Sequence, residues 1–306
     1  MNTTPSFTHT LRQRWQAADS MLCVGLDPDP ARIPAHLGTG PEAIDRFCRD
    51  IIAATADTVC AFKPQIAYFA AQGAEDVLAG LIAHIHAEHP GIPVILDAKR
   101  GDIGSTARQY GVEAFDRFKA DALTLSPFMG FDSIEPYFEW AGRGLILLCR
   151  TSNPGGNDLQ ALSVLPAGDT TGTPPGAPSP RQSASDAASS AQPEKLYEHL
   201  ARLAAGPWNV NGELGLVVGA TFPDELARVR ALAPRLPLLV PGVGAQGGDV
   251  NATVRDGLDA DGYGLVINSS RAILYAGKGT DFADQARQAA VATRDAIRAA
   301  RDAARA

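Results

Sequence analysis

Charge of both signs gathers where two apolar runs stop. One run ends in Asp97-Ala-Lys99-Arg-Gly-Asp102, and the run before it ends in Phe62-Lys63-Pro64. Side chains two apart on an extended strand end point to the same side, so Asp97 and Lys99 project together and Asp102 follows on the loop. Lys63 at the neighbouring strand end completes an Asp/Lys/Asp/Lys array. Desolvating such an array is costly unless its charges are paired, and arrays of this kind tune pKa values and transition-state charge. A lysine held between carboxylates stays protonated and becomes a directed acid. A carboxylate held against an anionic substrate group disfavours the ground state. The alternative is an ion-pair network that merely holds a rim, and two lysines with two aspartates at adjacent strand ends argue against it.

A second set of residues suits a phosphate ester. Pro241-Gly242-Val-Gly244-Ala-Gln246-Gly247-Gly248-Asp249 and Asn268-Ser-Ser-Arg271 each follow an apolar run. Glycines let backbone N–H groups approach an anion, a helix N-terminus adds positive potential, Gln246 can donate from its amide and Arg271 can bind bidentately. Gly242-x-Gly244-x-x-Gly247 also matches a dinucleotide fingerprint, with Asp261 further on. That fingerprint normally opens a first βαβ unit, whereas here it follows many repeats. The four cysteines, Cys23, Cys48, Cys60 and Cys149, have neither zinc nor redox spacing and are expected to be buried thiols. His84, His86 and His89 sit at the end of an amphipathic helix before Pro90 and are read as a solvated terminus rather than a metal site.

The elements that must position these residues alternate. Strands are expected at residues 21–26, 58–63, 93–97, 122–125, 144–149, 214–218, 237–241 and 263–267, each followed by helical periodicity. Between the first two, Ile44, Phe47, Cys48, Ile51 and Ile52 recur at helical spacing, with Pro41 near the start. Eight apolar strands joined by crossover helices predict a parallel (β/α)₈ TIM barrel, whose reactive groups lie at the C-terminal strand ends. The interval from 144 to 214 is out of scale. Residues 166–193 account for it, since they contain no Leu, Ile, Val, Met or aromatic side chain and cannot build a core. The expectation is a single domain, 1–306, with a mobile Pro/Ser/Ala-rich insertion after strand five. A helix over 194–205 follows it, and an Ala/Arg-rich helix over 282–304 covers the outside.

Composition excludes several classes. The chain has 306 residues, 45% hydrophobic and 20% charged, a globular balance. Its net charge of −7 opposes generic nucleic-acid binding. No apolar run approaches the roughly 18 residues of a spanning helix, and the first residues lack a signal-peptide core, so a cytoplasmic enzyme without membrane contact is expected.

Taken together, these segments resemble the orotidine 5′-phosphate decarboxylase family, in its longer bacterial branch. The resemblance runs through Val24-Gly-Leu-Asp27-Pro, Phe62-Lys63-Pro, Asp97-Ala-Lys99-Arg-Gly-Asp102-Ile, Thr151-Ser152-Asn-Pro-Gly155, the Pro241 to Asp249 glycine loop and Ser270-Arg271, in order along the barrel. It implies decarboxylation of orotidine 5′-phosphate to uridine 5′-phosphate in pyrimidine biosynthesis, with no cofactor and no metal. Lys99 would protonate C6 of the pyrimidine, Asp97 would lie against the substrate carboxylate, and Lys63 would link Asp97 to the ribose hydroxyls. Asp27 would hold ribose, Ser152 the pyrimidine edge, and Gln246 and Arg271 the phosphate. Asp102 and Thr106 would reach the active site of a neighbouring subunit, which implies a homodimer with shared sites. Two rivals remain: a Mg²⁺-dependent phosphosugar barrel enzyme that shares DxKxxD, and a non-catalytic barrel that keeps only the phosphate grip.

Overall fold

All eight expected runs become strands of one parallel sheet. A computed structural model of the chain describes residues 6–165, 192–243 and 248–305. The strands are β1 (Leu22–Leu26), β2 (Ala61–Pro64), β3 (Ile95–Arg100), β4 (Ala122–Leu125) and β5 (Gly144–Arg150). A two-residue ribbon follows, β6 (Ser163–Val164) with β7 (Glu194–Lys195), and then β8 (Leu214–Val218), β9 (Leu238–Pro241) and β10 (Leu265–Ser269). Hydrogen-bonded neighbours run β2-β1-β10-β9-β8-β5-β4-β3, and the parallel bridges Phe62 to Val94 and Gln65 to Asp97 bring β3 back to β2. The ring is a (β/α)₈ barrel, in which both faces of each strand are covered and the C-terminal strand ends share one rim.

The helices are α1 (Phe7–Ala18), α2 (Gly40–Thr55), α3 (Ile66–Ala70), α4 (Glu75–Glu88), α5 (Gly104–Gly111), α6 (Leu196–Ala205), α7 (Pro223–Leu232), α8 (Val250–Gly257), α9 (Arg271–Leu274) and α10 (Phe282–Arg305). In α2 the expected face is buried: Ile44, Phe47, Cys48, Ile51 and Ile52 all lie in the core, and Pro41 occupies the first turn, where its missing N–H costs nothing. Helix α1 packs across the far end of the barrel. Its Phe7 ring sits so close to Gly144 that a Cβ there would meet it at 2.2 Å, so β5 must begin with glycine. All four cysteines are buried and free.

Several features differ from the periodicity. Residues 56–58 form a 3₁₀ turn rather than the start of the second strand, because Thr55 and Thr58 use their hydroxyls on local carbonyls. The third strand runs on to Arg100 through a register shift between Leu96 and Arg100, so Asp97 and Lys99 sit in a bulge and not on a regular alternation. His86 is not simply solvated: its ring pairs with Asp121 at 2.8 Å and ties α4 to the start of β4. Most of the 166–193 insertion lies outside the described residues. Its flanks lie side by side, Ser163 opposite Lys195 and Val164 opposite Glu194. No helix among the described residues is long and apolar enough to cross a membrane.

Candidate active site

A cavity of about 580 Å³ opens at the C-terminal rim of the barrel, lined by Asp27, Lys63, Asp97, Lys99, Ser152 and Arg271 among others. Six expected site residues from five strand ends thus meet in one concavity. Asp97 is its pivot. One carboxylate oxygen accepts from Lys63 Nζ at 2.9 Å; the other accepts from Lys99 Nζ at 2.6 Å and from the Thr124 hydroxyl at 2.9 Å. The same Thr124 oxygen accepts from the backbone N–H groups of Ala98 and Lys99, at 3.0 and 2.9 Å. All the hydrogen-bonding capacity of that hydroxyl is therefore spent on holding the bulge and the carboxylate in one geometry.

Lys99 carries the backbone strain of the site. Its φ is +46°, in the left-handed region that a residue with a Cβ enters at a cost. The bulge that imposes this turn carries its ammonium back onto Asp97, while Arg100 on the outer side is anchored to Glu113 through two nitrogens, at 3.0 and 2.7 Å. Lys99 remains 46% exposed through its side chain, whereas Lys63 and Asp97 are at 6% and 10%. Both ammoniums therefore line the cavity, one of them widely exposed and the other almost wholly buried.

The electrostatics follow from this difference. Burial alone would raise the Asp97 carboxyl, but the ammoniums of Lys63 and Lys99 overcome it and hold the group well below the usual carboxylate range. Burial alone would lower Lys63, but Asp97 and Asp27 reverse that and keep it cationic above the ordinary lysine range. The site is an ionised triad of one anion between two cations, preorganised before any ligand arrives.

Around it stand groups with unused capacity. Asp27 Oδ1 is buried without a hydrogen-bond partner among the described residues, while the backbone on either side of Asp27 is fixed by Tyr275, whose hydroxyl donates to the Asp27 carbonyl at 2.8 Å and accepts from Asp29 N–H at 2.6 Å. Asn268 Oδ1 is likewise buried and unpartnered, and its amide nitrogen donates to the Ser270 hydroxyl at 3.2 Å. Gly25 makes room for this pair, since a Cβ there would fall 1.9 Å from the Ser270 hydroxyl. Ser152 is presented by the loop after β5, with its backbone against Gly219 at the end of β8, where a Cβ would come within 2.7 Å. Arg271 is exposed at the start of α9 on the cavity wall.

Not every expected residue joins the cavity. Asp102 does not complete a four-charge array within this chain. The backbone turns away after Arg100, Asp102 accepts from the N–H of Ile103 at 2.8 Å, and neither it nor the exposed Thr106 lines the cavity. Gln246 lies outside the described residues. The helix after the glycine loop, α8, has its first N–H groups taken by the Asp249 carboxylate, at 2.7 and 3.4 Å, so its positive end is already occupied. The sequence reading also missed Thr124, and it took Asn268 only as the start of the Asn268-Ser-Ser-Arg271 segment, without a role of its own. Both are detectable as lone polar residues in otherwise apolar runs, Ala-Leu-Thr124-Leu and Leu-Val-Ile-Asn268.

Fold and site define a (β/α)₈-barrel protein with a concave, doubly cationic centre built on one buried carboxylate. The model of the orotidine 5′-phosphate decarboxylase / HUMPS family matches residues 20–171. An orotidine 5′-phosphate decarboxylase of Azoarcus sp. is 62% identical over 295 residues, covering 96% of this chain and 99% of the relative. That of Dechloromonas aromatica is 60% identical over 292 residues, 95% of this chain and 98% of the relative. Among solved structures, Leishmania donovani OMP decarboxylase superposes with a TM-score of 0.76 at 40% identity, covering 97% of this chain and 99% of that one. Leishmania donovani UMP synthase gives 0.76 at 41% identity, over 96% of this chain but 57% of that longer one. The chain belongs to the orotidine 5′-phosphate decarboxylase family.

Proposed function

We propose that this chain converts orotidine 5′-phosphate to uridine 5′-phosphate and carbon dioxide, without metal or cofactor, as a step of pyrimidine biosynthesis. The observation that carries the reading is the Lys63–Asp97–Lys99 triad, ionised and rigid at the floor of the cavity. The C6–carboxylate bond breaks, its electron pair stays on C6, and the Lys99 ammonium delivers a proton to that carbon as carbon dioxide leaves. Asp97 faces the substrate carboxylate, a repulsion that is relieved as charge moves onto C6 beside Lys99, so the array favours the transition state over the ground state. Lys63 holds Asp97 ionised and reaches the ribose hydroxyls. The unpartnered Asp27 oxygen accepts a ribose hydroxyl, Ser152 meets the pyrimidine edge, and Arg271 with Gln246 binds the phosphate.

The reading includes a homodimer in the cytoplasm. Asp102 and Thr106 sit on the rim outside their own cavity, flanking Ile103, which is 48% exposed; Phe128 and Met129 on the next loop are 75% and 48% exposed. An apolar patch beside two polar groups with no work in their own site suits a second copy of the chain that uses them in its site.

The Mg²⁺-dependent phosphosugar reading is tested by the same assay. Loss of the orotate chromophore from orotidine 5′-phosphate is followed in excess chelator. Undiminished turnover is expected. Absence of turnover, with activity on a phosphosugar once Mg²⁺ is restored, contradicts the proposal.

A further inference from the structure

Arg150 is among the most deeply buried charged residues, 1% exposed, and it does not line the cavity. It closes β5 just after a register shift between Leu148 and Arg150, which turns its side chain to the back of the loop that follows. Every arm of its guanidinium is engaged there. Nε donates to Glu225 in the first turn of α7, one terminal nitrogen donates to Asn157 at 2.6 Å, the other approaches Gln160 at 3.5 Å, and the plane lies 4.0 Å over the Phe222 ring. Gln160 passes the hold to the front of the loop: its carbonyl oxygen accepts from Thr151 N–H at 2.8 Å, and its amide donates to the Thr151 hydroxyl at 2.9 Å. Gly156 lies inside this knot, where a Cβ would meet Arg150, Gln160 and Thr151 between 2.8 and 3.1 Å. Thr221 adds a bond to the Ser152 carbonyl at 3.2 Å.

We infer that Arg150 is a positioning residue for the reaction: through Asn157 and Gln160 it locks the loop 151–160 to α7 and so sets where Ser152 meets the substrate base. The inference rests on the role proposed for Ser152. A buried planar fork that satisfies two amides and a carboxylate at once fixes orientation in a way that lysine, a point charge on a flexible stem, cannot reproduce. Thr151, Gly156 and Gln160 line the cavity beside Ser152, whereas Arg150 and Asn157 hold the loop from outside it, so loosening that hold changes the precision with which Ser152 is placed and leaves the triad on Asp97 untouched.

The test is a double-mutant cycle on orotidine 5′-phosphate turnover, with thermal unfolding of every variant measured alongside. Gln160→Ala and Asn157→Ala are used because Arg150→Ala strands the Glu225 carboxylate and risks misfolding; Arg150→Lys is the conservative control. Gln160→Ala and Arg150→Lys are each expected to lose about tenfold or more in kcat/KM at a temperature where they are fully folded. In a Ser152→Ala background, the same Gln160→Ala change is expected to cost less than about twofold, because the residue it positions is gone. Equal fold losses in the two backgrounds, or no loss from Gln160→Ala, Asn157→Ala and Arg150→Lys alike, overturn the clamp alone. A fully active Ser152→Ala enzyme overturns the role of Ser152, and the clamp with it.

Discussion

At the scale of single residues, the site depends on one carboxylate that must stay ionised while buried. Lys63, Lys99 and Thr124 supply that condition with three short contacts, and the left-handed turn at Lys99 is the local cost of bringing its ammonium back onto the strand that bears it. The same coupling makes stability depend on acid. Asp97 is held below the ordinary carboxylate pKa, so its stabilising contribution is complete above about pH 4 and is lost as pH falls through the depressed folded value. Urea unfolding across an acid series is expected to show wild type losing its stability advantage over Asp97→Asn as pH drops below about 4. Parallel curves for the two proteins would contradict the charge assignment. Lys63 works in the opposite sense: raised above the ordinary lysine range, its contribution is present at neutral pH and is lost only as pH rises through the folded value.

At the scale of elements, repetition made the fold legible and irregularity hid part of the site. Apolar runs and helical periodicity place all eight strands, and the loop positions of Asp27, Lys63, Asp97, Ser152 and Arg271 follow from strand ends. The bulge in β3 was not legible, because nothing in Asp97-Ala-Lys99-Arg distinguishes a strained turn from an extended end; the convergence of the two side chains was anticipated through regular alternation and is achieved by the left-handed Lys99. Thr124 went unread because it sits in a strand whose other residues mark it simply as buried, and Asn268, expected just beyond the eighth strand, proves to be part of it. The knot around Arg150 was equally invisible, since Glu225, Asn157 and Gln160 come together only once β5 and β8 pair. The insertion leaves and returns through the ribbon of β6 and β7, whose ends are adjacent. Replacing residues 166–193 with a short Asn-Gly turn, which favours hairpin closure, is expected to keep kcat within about twofold of wild type. A large loss of kcat in that variant would give the insertion a part in turnover.

At the scale of the whole molecule, a barrel separates what must be rigid from what must bind. The ring of strands fixes the triad at its C-terminal rim, helices bury the outer strand faces, and the loops after the strands bring binding groups from distant parts of the chain to one cavity. Among the described residues, the set that fails to converge within a chain, Asp102 and Thr106, is the set that the dimer reading assigns to the partner. Mixing Lys99→Ala and Asp102→Ala proteins, each nearly inactive alone, tests that assignment. Each mixed dimer holds one site with both intact residues and one with neither. Random reassortment is therefore expected to restore on the order of a quarter of wild-type activity. Failure of the mixture to exceed its components, with reassortment verified, would put Asp102 in its own chain's site or outside catalysis.

The central claim is that Lys99, held on Asp97, is the proton donor at C6. The most direct measurement is the loss of orotidine 5′-phosphate absorbance with wild type and with Lys99→Ala, alongside the melting temperature of each. Because Lys99 is half exposed and Asp97 retains Lys63 and Thr124, the variant is expected to melt within a few degrees of wild type. Its kcat is expected to fall by at least about 10²–10⁴-fold, the span of a lost general acid. A folded Lys99→Ala protein that turns over as fast as wild type would contradict the account.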